Sequence, residues 1–394
     1  MKAASRGRQK ALVAGVVLAT TAAVLGVVLL GGVASTSSGL RQPRGSAQAA
    51  GSTASNPAAR LIDAAKAPQL PELTAATDWI NTAPLTREAL VGKVVWIDFW
   101  DASCINCRRT FPALRALTKA YGPNGFVMIG VHSPEFDFEK PAAYVKESAD
   151  RLGVTWPVAN DPQMAIWTTF GNQYWPAQYL VDRQGKVRFL HTGEGEDDVL
   201  ESVIRTLLGT AGGPLPAPVA GAQAAPSPGA APQVAGPAQG ANITRERYLG
   251  AQRGQGSLAA GVIAAGRTVN RHDPTPAPTD TVALNGRYVG AADHVTGRPG
   301  SALDLTYRAA DVYAVLRPDT TTCSVEVRLD GKPVPVDLRG PDLRAQGTLT
   351  VVDVSRDDLW HLLSGPAGEG VRSGVLTLAP RGCSAQLFTF TFGG

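Results

Sequence analysis

The chain has 394 residues, 44% of them hydrophobic, and a formal net charge of +4 at neutral pH. That length accommodates two ordinary domains, each with its own core. Part of the basic excess sits at Lys2, Arg6, Arg8 and Lys10, and no long basic block follows, so no nucleic-acid partner is expected.

Residues 1–10 form a short basic start. Residues 11–33, ALVAGVVLATTAAVLGVVLLGGV, carry no charged side chain. At about 1.5 Å per residue they reach about 35 Å, enough to cross the hydrocarbon core of a bilayer. A cleavable signal peptide has a shorter apolar core of about 7 to 15 residues. One uncleaved transmembrane anchor is therefore expected, with cleavage at the small residues of GGVASTS as the alternative. The positive charges ahead of it hold the amino terminus in the cytoplasm and place the rest of the chain outside. Residues 34–66 are rich in Ala, Ser and Gly and read as a flexible stalk with a reach of about 30 Å.

From 67 to 209 the chain alternates strand-like runs with helical patterns, which is α/β patterning. A strand at 93–100 feeds a helix from about Cys104 to Tyr121, with Phe111, Leu114, Leu117 and Tyr121 at helical spacing. FVMIGVH, 126–132, is a second buried strand. Asp137 is expected to cap a helix running to about Leu152. A short strand in TWPVAN, a helical segment near Ile166, a hairpin over 178–192 and an amphipathic helix from Glu196 to Leu208 complete the unit. Residues 210–241 are almost entirely Ala, Gly, Pro and Gln, and read as a semi-extended linker. Beyond it, from 242 to 394, short runs such as TVALNGRYV, DVYAVLR, CSVEVRLD and AQLFTFTF alternate apolar and polar residues, with turn signals such as Asp330-Gly331 between them. This predicts an antiparallel β-sandwich. DDLWHLLSG, 357–365, is the one helical-looking stretch.

The chemistry concentrates in WIDFWDASCINCRRTFPAL, 96–114. The chain has four cysteines, Cys104, Cys107, Cys323 and Cys383. A structural zinc site would need a second close pair, and the five histidines are scattered, so no metal is expected. Cys104 falls at a strand-to-helix junction, where unpaired backbone N–H groups and the helix dipole favour a thiolate. That makes it the nucleophile. Cys107, one turn on, is placed to attack a mixed disulfide and release the reduced partner. Arg108 and Arg109 add positive charge nearby or face solvent.

VVWIDFWDASCINC resembles the VDFWAxWCxxC active-site segment of thioredoxins. The resemblance implies that Asp98 is the buried acid assisting proton transfer at the second cysteine. It also implies that Pro112 kinks the active-site helix, and that Pro176 in YWPAQYL is the cis-proline beside the cysteines. Trp175, Ile105 and Asn106 would then line the substrate groove. Ser103 stands where thioredoxins have tryptophan, and Ile105-Asn106 replaces Gly-Pro, so the potential of the couple does not carry over. The longer insertion between 133 and 175 is similar to the extracytoplasmic TlpA and ResA branch. The run LTREALVGKVVWIDFWDASCINCRR followed by IGVHSPEFDFEK resembles the thioredoxin-like portion of DipZ-type proteins, which carry an electron-conducting membrane domain before it and a small β-sandwich after it. Here the sandwich is present, and a single anchor stands where the multispan domain would be. The fold class expected is thus an α/β thioredoxin-like domain followed by an all-β, jelly-roll-like antiparallel sandwich, behind one transmembrane helix.

The implied protein is a membrane-anchored thiol–disulfide oxidoreductase. It calls for no cofactor, exchanges with extracytoplasmic protein thiols and disulfides, and depends on a membrane electron-transfer partner. A thiol peroxidase using the same cysteines is the alternative, although FWDAS lacks the peroxiredoxin Pro and Thr ahead of the nucleophile. A third reading makes the sandwich an envelope-glycan binder on a thioredoxin-like scaffold. Its aromatic platform would be drawn from Tyr288, Tyr307, Tyr313 and Trp360, although alternation buries every second side chain. His132, at the end of a buried strand, reads as a core histidine. Cys323 and Cys383 sit at strand starts in a domain facing an oxidising compartment and are expected to pair as a structural disulfide.

Overall fold

The computed structural model describes residues 60–209, 212–219, 243–365 and 370–393. The basic start, the expected anchor at 11–33, most of the stalk and most of the linker lie outside the described residues. Among the described residues no helix is long and apolar enough to cross a membrane.

The first domain contains β1 (Asp78–Ile80), α1 (Arg87–Leu90), β2 (Val94–Trp100), α2 (Ile105–Tyr121), β3 (Phe126–His132), α3 (Ala142–Arg151), β4 (Val158–Asn160), α4 (Ala165–Phe170), β5 (Ala177–Val181), β6 (Val187–Thr192) and α5 (Asp197–Gly209). Its sheet runs β1-β4-β3-β2-β5-β6. The two pairings of β2 set the site: β2 is parallel to β3 and antiparallel to β5. All seven residues of β2 are buried, as in a strand covered on both faces. Trp96 and Trp100 join one core with Leu114 of α2, Val145 of α3 and Val203 of α5. Val95, Ile97 and Phe99 join the other with Leu90 of α1 and Ile166 of α4. Asp98 shares the parity of Trp96 and Trp100, so the pleat directs it toward the α2 side.

Two local expectations need correction. Asp137 does not cap the helix ending near Leu152. It opens a single 3₁₀ turn, Asp137–Glu139, and α3 starts only after Pro141. Pro141 has no N–H to donate back to the Asp137 carbonyl, so the first turn cannot propagate. Part of the expected linker is also held: residues 212–219 lie on the first domain, with Leu215 and Val219 packed on its core and the Val219 N–H donating to Glu201 at 2.7 Å.

In the second domain, every pairing among the 13 described strands is antiparallel. One core gathers Val352 and Val354 from one end of the strand path, Leu303 and Leu305 from its middle, and Trp360 and Leu362 from its other end, so the sheet wraps around a single apolar interior. Asp330 and Gly331 turn the chain between 323–329 and 332–333 with φ of 49° and 76°, the left-handed pair that a two-residue hairpin requires. The segment 357–365 is not helical: Asp358–Leu363 is a strand paired with 311–318. Its apolar run is covered on both faces, Trp360 and Leu362 by the domain's own core and Leu359 by the first domain, and a run buried on both sides hides its period. Cys323 and Cys383 are joined by a disulfide with a Cα–Cα distance of 5.6 Å. Tyr288, Tyr307, Tyr313 and Trp360 are all buried, so none of them offers a ring face for a sugar.

The two domains lie within one compact unit. Phe136 and Phe138 of the first share a cluster with Tyr313, Val315, Leu359 and Phe388 of the second, and the Phe388 ring lies 5.1 and 5.0 Å from the two phenylalanines.

Candidate active site

Cys104 is the N-cap of α2, and its Sγ accepts the Cys107 backbone N–H at 3.2 Å. A helix start leaves such N–H groups unpaired, so a sulfur placed there is held without any side-chain donor. Both sulfurs are free thiols; Cys104 is half-buried and Cys107 fully buried. Burial pushes the Cys107 thiol well above its ordinary value. Its hydrogen bond with Cys104, the charge of Cys104, and the nearby Asp101 and Asp98 act in the same direction. Thr110 Oγ1 donates to the Cys107 carbonyl at 2.8 Å, closing the first turn.

Asp98 has no exposed surface. Desolvation raises its carboxyl to about 8, against a smaller opposing effect of Gln178, whose Nε2 donates to Oδ1 at 3.2 Å. Register delivers that partner, since Gln178 lies directly across β5 from Asp98. Two residues before Gln178, Pro176 follows Trp175 through a cis peptide bond. Trp175 donates its indole N–H to the Ser133 carbonyl at 2.9 Å, and its ring lies tilted 4.2 Å from that of Trp167. Together with Cys104 it is partly buried against one core. Cys104, Cys107 and Asp98 thus meet at the N-terminal end of α2, and Trp175, which precedes Pro176, packs against the same core as Cys104.

Of the other two residues named for the groove, Ile105 is turned toward the second domain. Ile105 packs into the interdomain cluster beside Tyr313 and Phe388, so its side chain serves the domain contact. Asn106 accepts from Arg109 at 3.4 Å. Arg108 and Arg109 are not solvent-facing either. Arg108 reaches Asp358 of the second domain, and Arg109 pairs with Glu194 at 3.2 Å while lying over the Tyr313 ring. His132 is fully buried, edge-on to Trp100 at 4.9 Å, and burial lowers it to about 3, so it stays neutral and belongs to the core. Among the described residues no three His, Cys, Asp or Glu side chains are gathered as a metal ion would require.

Three residues escaped the sequence reading: Asp101, Glu139 and Tyr174. Ser103, just before the nucleophile, offers one N–H to two carboxyls, Asp101 Oδ1 at 2.8 Å and Glu139 Oε1 at 3.1 Å. Both acids are fully buried. Desolvation, and then the charge of Glu139, pushes Asp101 well up; desolvation, and then Glu135, lifts Glu139 to about 7. Two carboxylates sharing one donor do not both ionise readily, so the pair holds a proton near neutral pH. The only sequence signal was the acid of FWDAS in the slot where the thioredoxin pattern has alanine. Tyr174, beside Trp175, is the most exposed aromatic at the site, at 57%.

Comparison with known proteins decides the family. The Redoxin family profile matches residues 64–208, and the thioredoxin-like C-terminal domain profile matches residues 244–393. The thiol-disulfide oxidoreductase YkuV of Bacillus subtilis is 31% identical over 140 residues, covering 35% of this chain and 93% of that protein. The chain belongs to the thioredoxin-like redoxin family of thiol–disulfide oxidoreductases. This redoxin is also 35% identical over 332 residues to protein DipZ of Mycobacterium tuberculosis, an alignment covering 82% of the chain and 42% of DipZ. It therefore spans less than half the length of that relative. The ResA oxidoreductase of Geobacillus thermodenitrificans is 31% identical over 102 residues, 26% of this chain and 56% of that protein.

Proposed function

We propose that this redoxin is a membrane-anchored, extracytoplasmic enzyme that exchanges disulfides with protein substrates through Cys104 and Cys107. The observation that carries the reading is the Cys104 sulfur on the N-terminal N–H of α2, one turn from a buried Cys107. In the forward direction the Cys104 thiolate attacks a substrate disulfide. The substrate S–S bond breaks, a Cys104–substrate bond forms, and the leaving sulfur takes up a proton. Cys107 then gives its proton to the ionised form of Asp98, whose population grows as pH rises toward 8, and attacks the Cys104 sulfur. The Cys104–substrate bond breaks, the second substrate sulfur departs as thiolate, and a Cys104–Cys107 disulfide remains. Two electrons have left the cysteine pair, so a membrane electron-transfer partner must restore them.

The apolar run at 11–33 supports the anchor, and the Cys323–Cys383 disulfide supports an oxidising compartment. The exposed Tyr174 and the half-buried Trp175 next to Pro176 favour an extended peptide segment as the bound group. The test is insulin-disulfide reduction with dithiothreitol as electron source. The wild-type protein should accelerate it, and Cys104→Ser should return the rate to the uncatalysed value; equal rates for the two proteins would remove the proposal.

A further inference from the structure

The turn Asp101–Cys104 is held from two directions. From inside, the Ser103 N–H is gripped by Asp101 and Glu139. From outside, the Arg108 guanidinium donates through Nε to the Ala102 carbonyl at 2.7 Å, while the Arg108 backbone N–H donates to the Cys104 carbonyl at 3.1 Å. The Arg108 side chain therefore holds one end of the three-residue segment that ends in the nucleophile, and the ordinary helical bond of its backbone holds the other. Its own position is fixed by the second domain: its other nitrogens bond Asp358 and the Leu359 carbonyl. Asp358 is 2% exposed and lies among Arg108, Arg151 at 3.3 Å and Arg356 at 2.8 Å. The surrounding cations hold its carboxyl below the usual range against the effect of burial. A guanidinium this enclosed keeps its place only while its counter-charge is present, because a buried charge without a partner is costly. Ile105, between the two cysteines, adds an apolar contact to the same domain.

We propose that the β domain is a working part of the exchange site: through Asp358 it anchors Arg108, and Arg108 is a positioning residue that holds the turn carrying Cys104. The inference rests on the reading of Cys104 as nucleophile and goes beyond it, since that reading needs only the first domain. The Arg108 side chain touches no reacting atom and acts through the Ala102 carbonyl.

Arg108→Lys keeps a cation opposite Asp358 but removes the planar fork that reaches Ala102, and Asp358→Asn removes the anchor. Tyr248→Phe serves as control, cutting the Tyr248–Glu135 hydrogen bond across the same interface without touching the turn. Two rates are read on the full-length reduced protein: attack on insulin disulfides and attack on a small aromatic disulfide. Arg108→Lys and Asp358→Asn should slow both about tenfold, as misplacement of a reacting group does, while Tyr248→Phe leaves both unchanged. If Asp358→Asn does not fold, Arg108→Lys decides alone. Wild-type rates in Arg108→Lys would overturn the inference, whatever its melting temperature. So would a loss confined to insulin, because that would make the interface a recognition surface and not a support for Cys104. A wild-type protein that attacks the small disulfide but never insulin would instead remove the proposed protein substrates and leave this inference standing.

Discussion

A carboxyl with no exposed surface, one hydrogen bond and no cation beside it keeps its proton to about pH 8, and the ionised form of Asp98 is placed to take the proton of Cys107. Asp98→Asn should therefore slow release of a mixed disulfide by about 10²-fold, within the range of general base catalysis, and leave the first attack by Cys104 nearly intact. Rapid-quench separation of the two steps checks this. The same burial has a stability consequence. Asp98 and Glu139 are raised on folding to about 8 and about 7, so the folded state holds their protons more tightly than the unfolded chain. Their contribution is full at low pH and is lost as pH rises toward 8. His132, lowered to about 3, acts oppositely, costing stability as pH falls below its ordinary range near 6.5. Between about pH 6.5 and 8 the raised acids, Glu246 at about 8 among them, outweigh the remaining effect of His132, so the melting temperature should fall across that window, and Asp98→Asn should reduce the fall. The place of Asp98 was legible because motif offset and strand parity both work within one short segment. Glu139 was not, because the Ser103 N–H that ties it to Asp101 is met across 36 residues of chain.

At the scale of elements, β2, α2 and β3 were readable because each buries a regular face: an unbroken run in the strands, a three-to-four spacing in the helix. The strand at 358–363 was not, since its outer face is covered by another domain and its polar signal is missing. Close packing behind the site leaves Gly130 no room for a side chain. A Cβ there would meet the indole nitrogens of Trp100 and Trp156 at 2.7 and 3.0 Å. Gly130→Ala should cost about 1–3 kcal/mol in denaturant titration, because neither ring can move without disturbing the core under α2. The turn at Asp330-Gly331 was legible for the opposite reason: its left-handed backbone is a local demand that the two residues announce themselves.

For the molecule as a whole, composition breaks in the chain separate the two domains, but nothing in sequence says that they meet over the cysteines. That contact is made by side chains far apart in the chain, Ile105 and Arg108 against Tyr313, Asp358, Leu359 and Phe388. Phe388 packs edge-on against the stacked pair Phe136 and Phe138, so Phe388→Ala should cost about 3–5 kcal/mol and split the single calorimetric transition expected of the wild type into two. The Cys323–Cys383 bridge belongs to the β domain alone. Replacing both cysteines with serine should lower that domain's stability by about 2–5 kcal/mol while leaving thiol exchange intact below its melting temperature. The most direct test of the central claim is to trap the intermediate. Reduced Cys107→Ser protein is mixed with a disulfide-bonded peptide, and the product is mapped by mass spectrometry without reduction. The account predicts one stable adduct, with the peptide sulfur on Cys104. No adduct, or a peptide bound to Cys323 or Cys383 in place of Cys104, would contradict it.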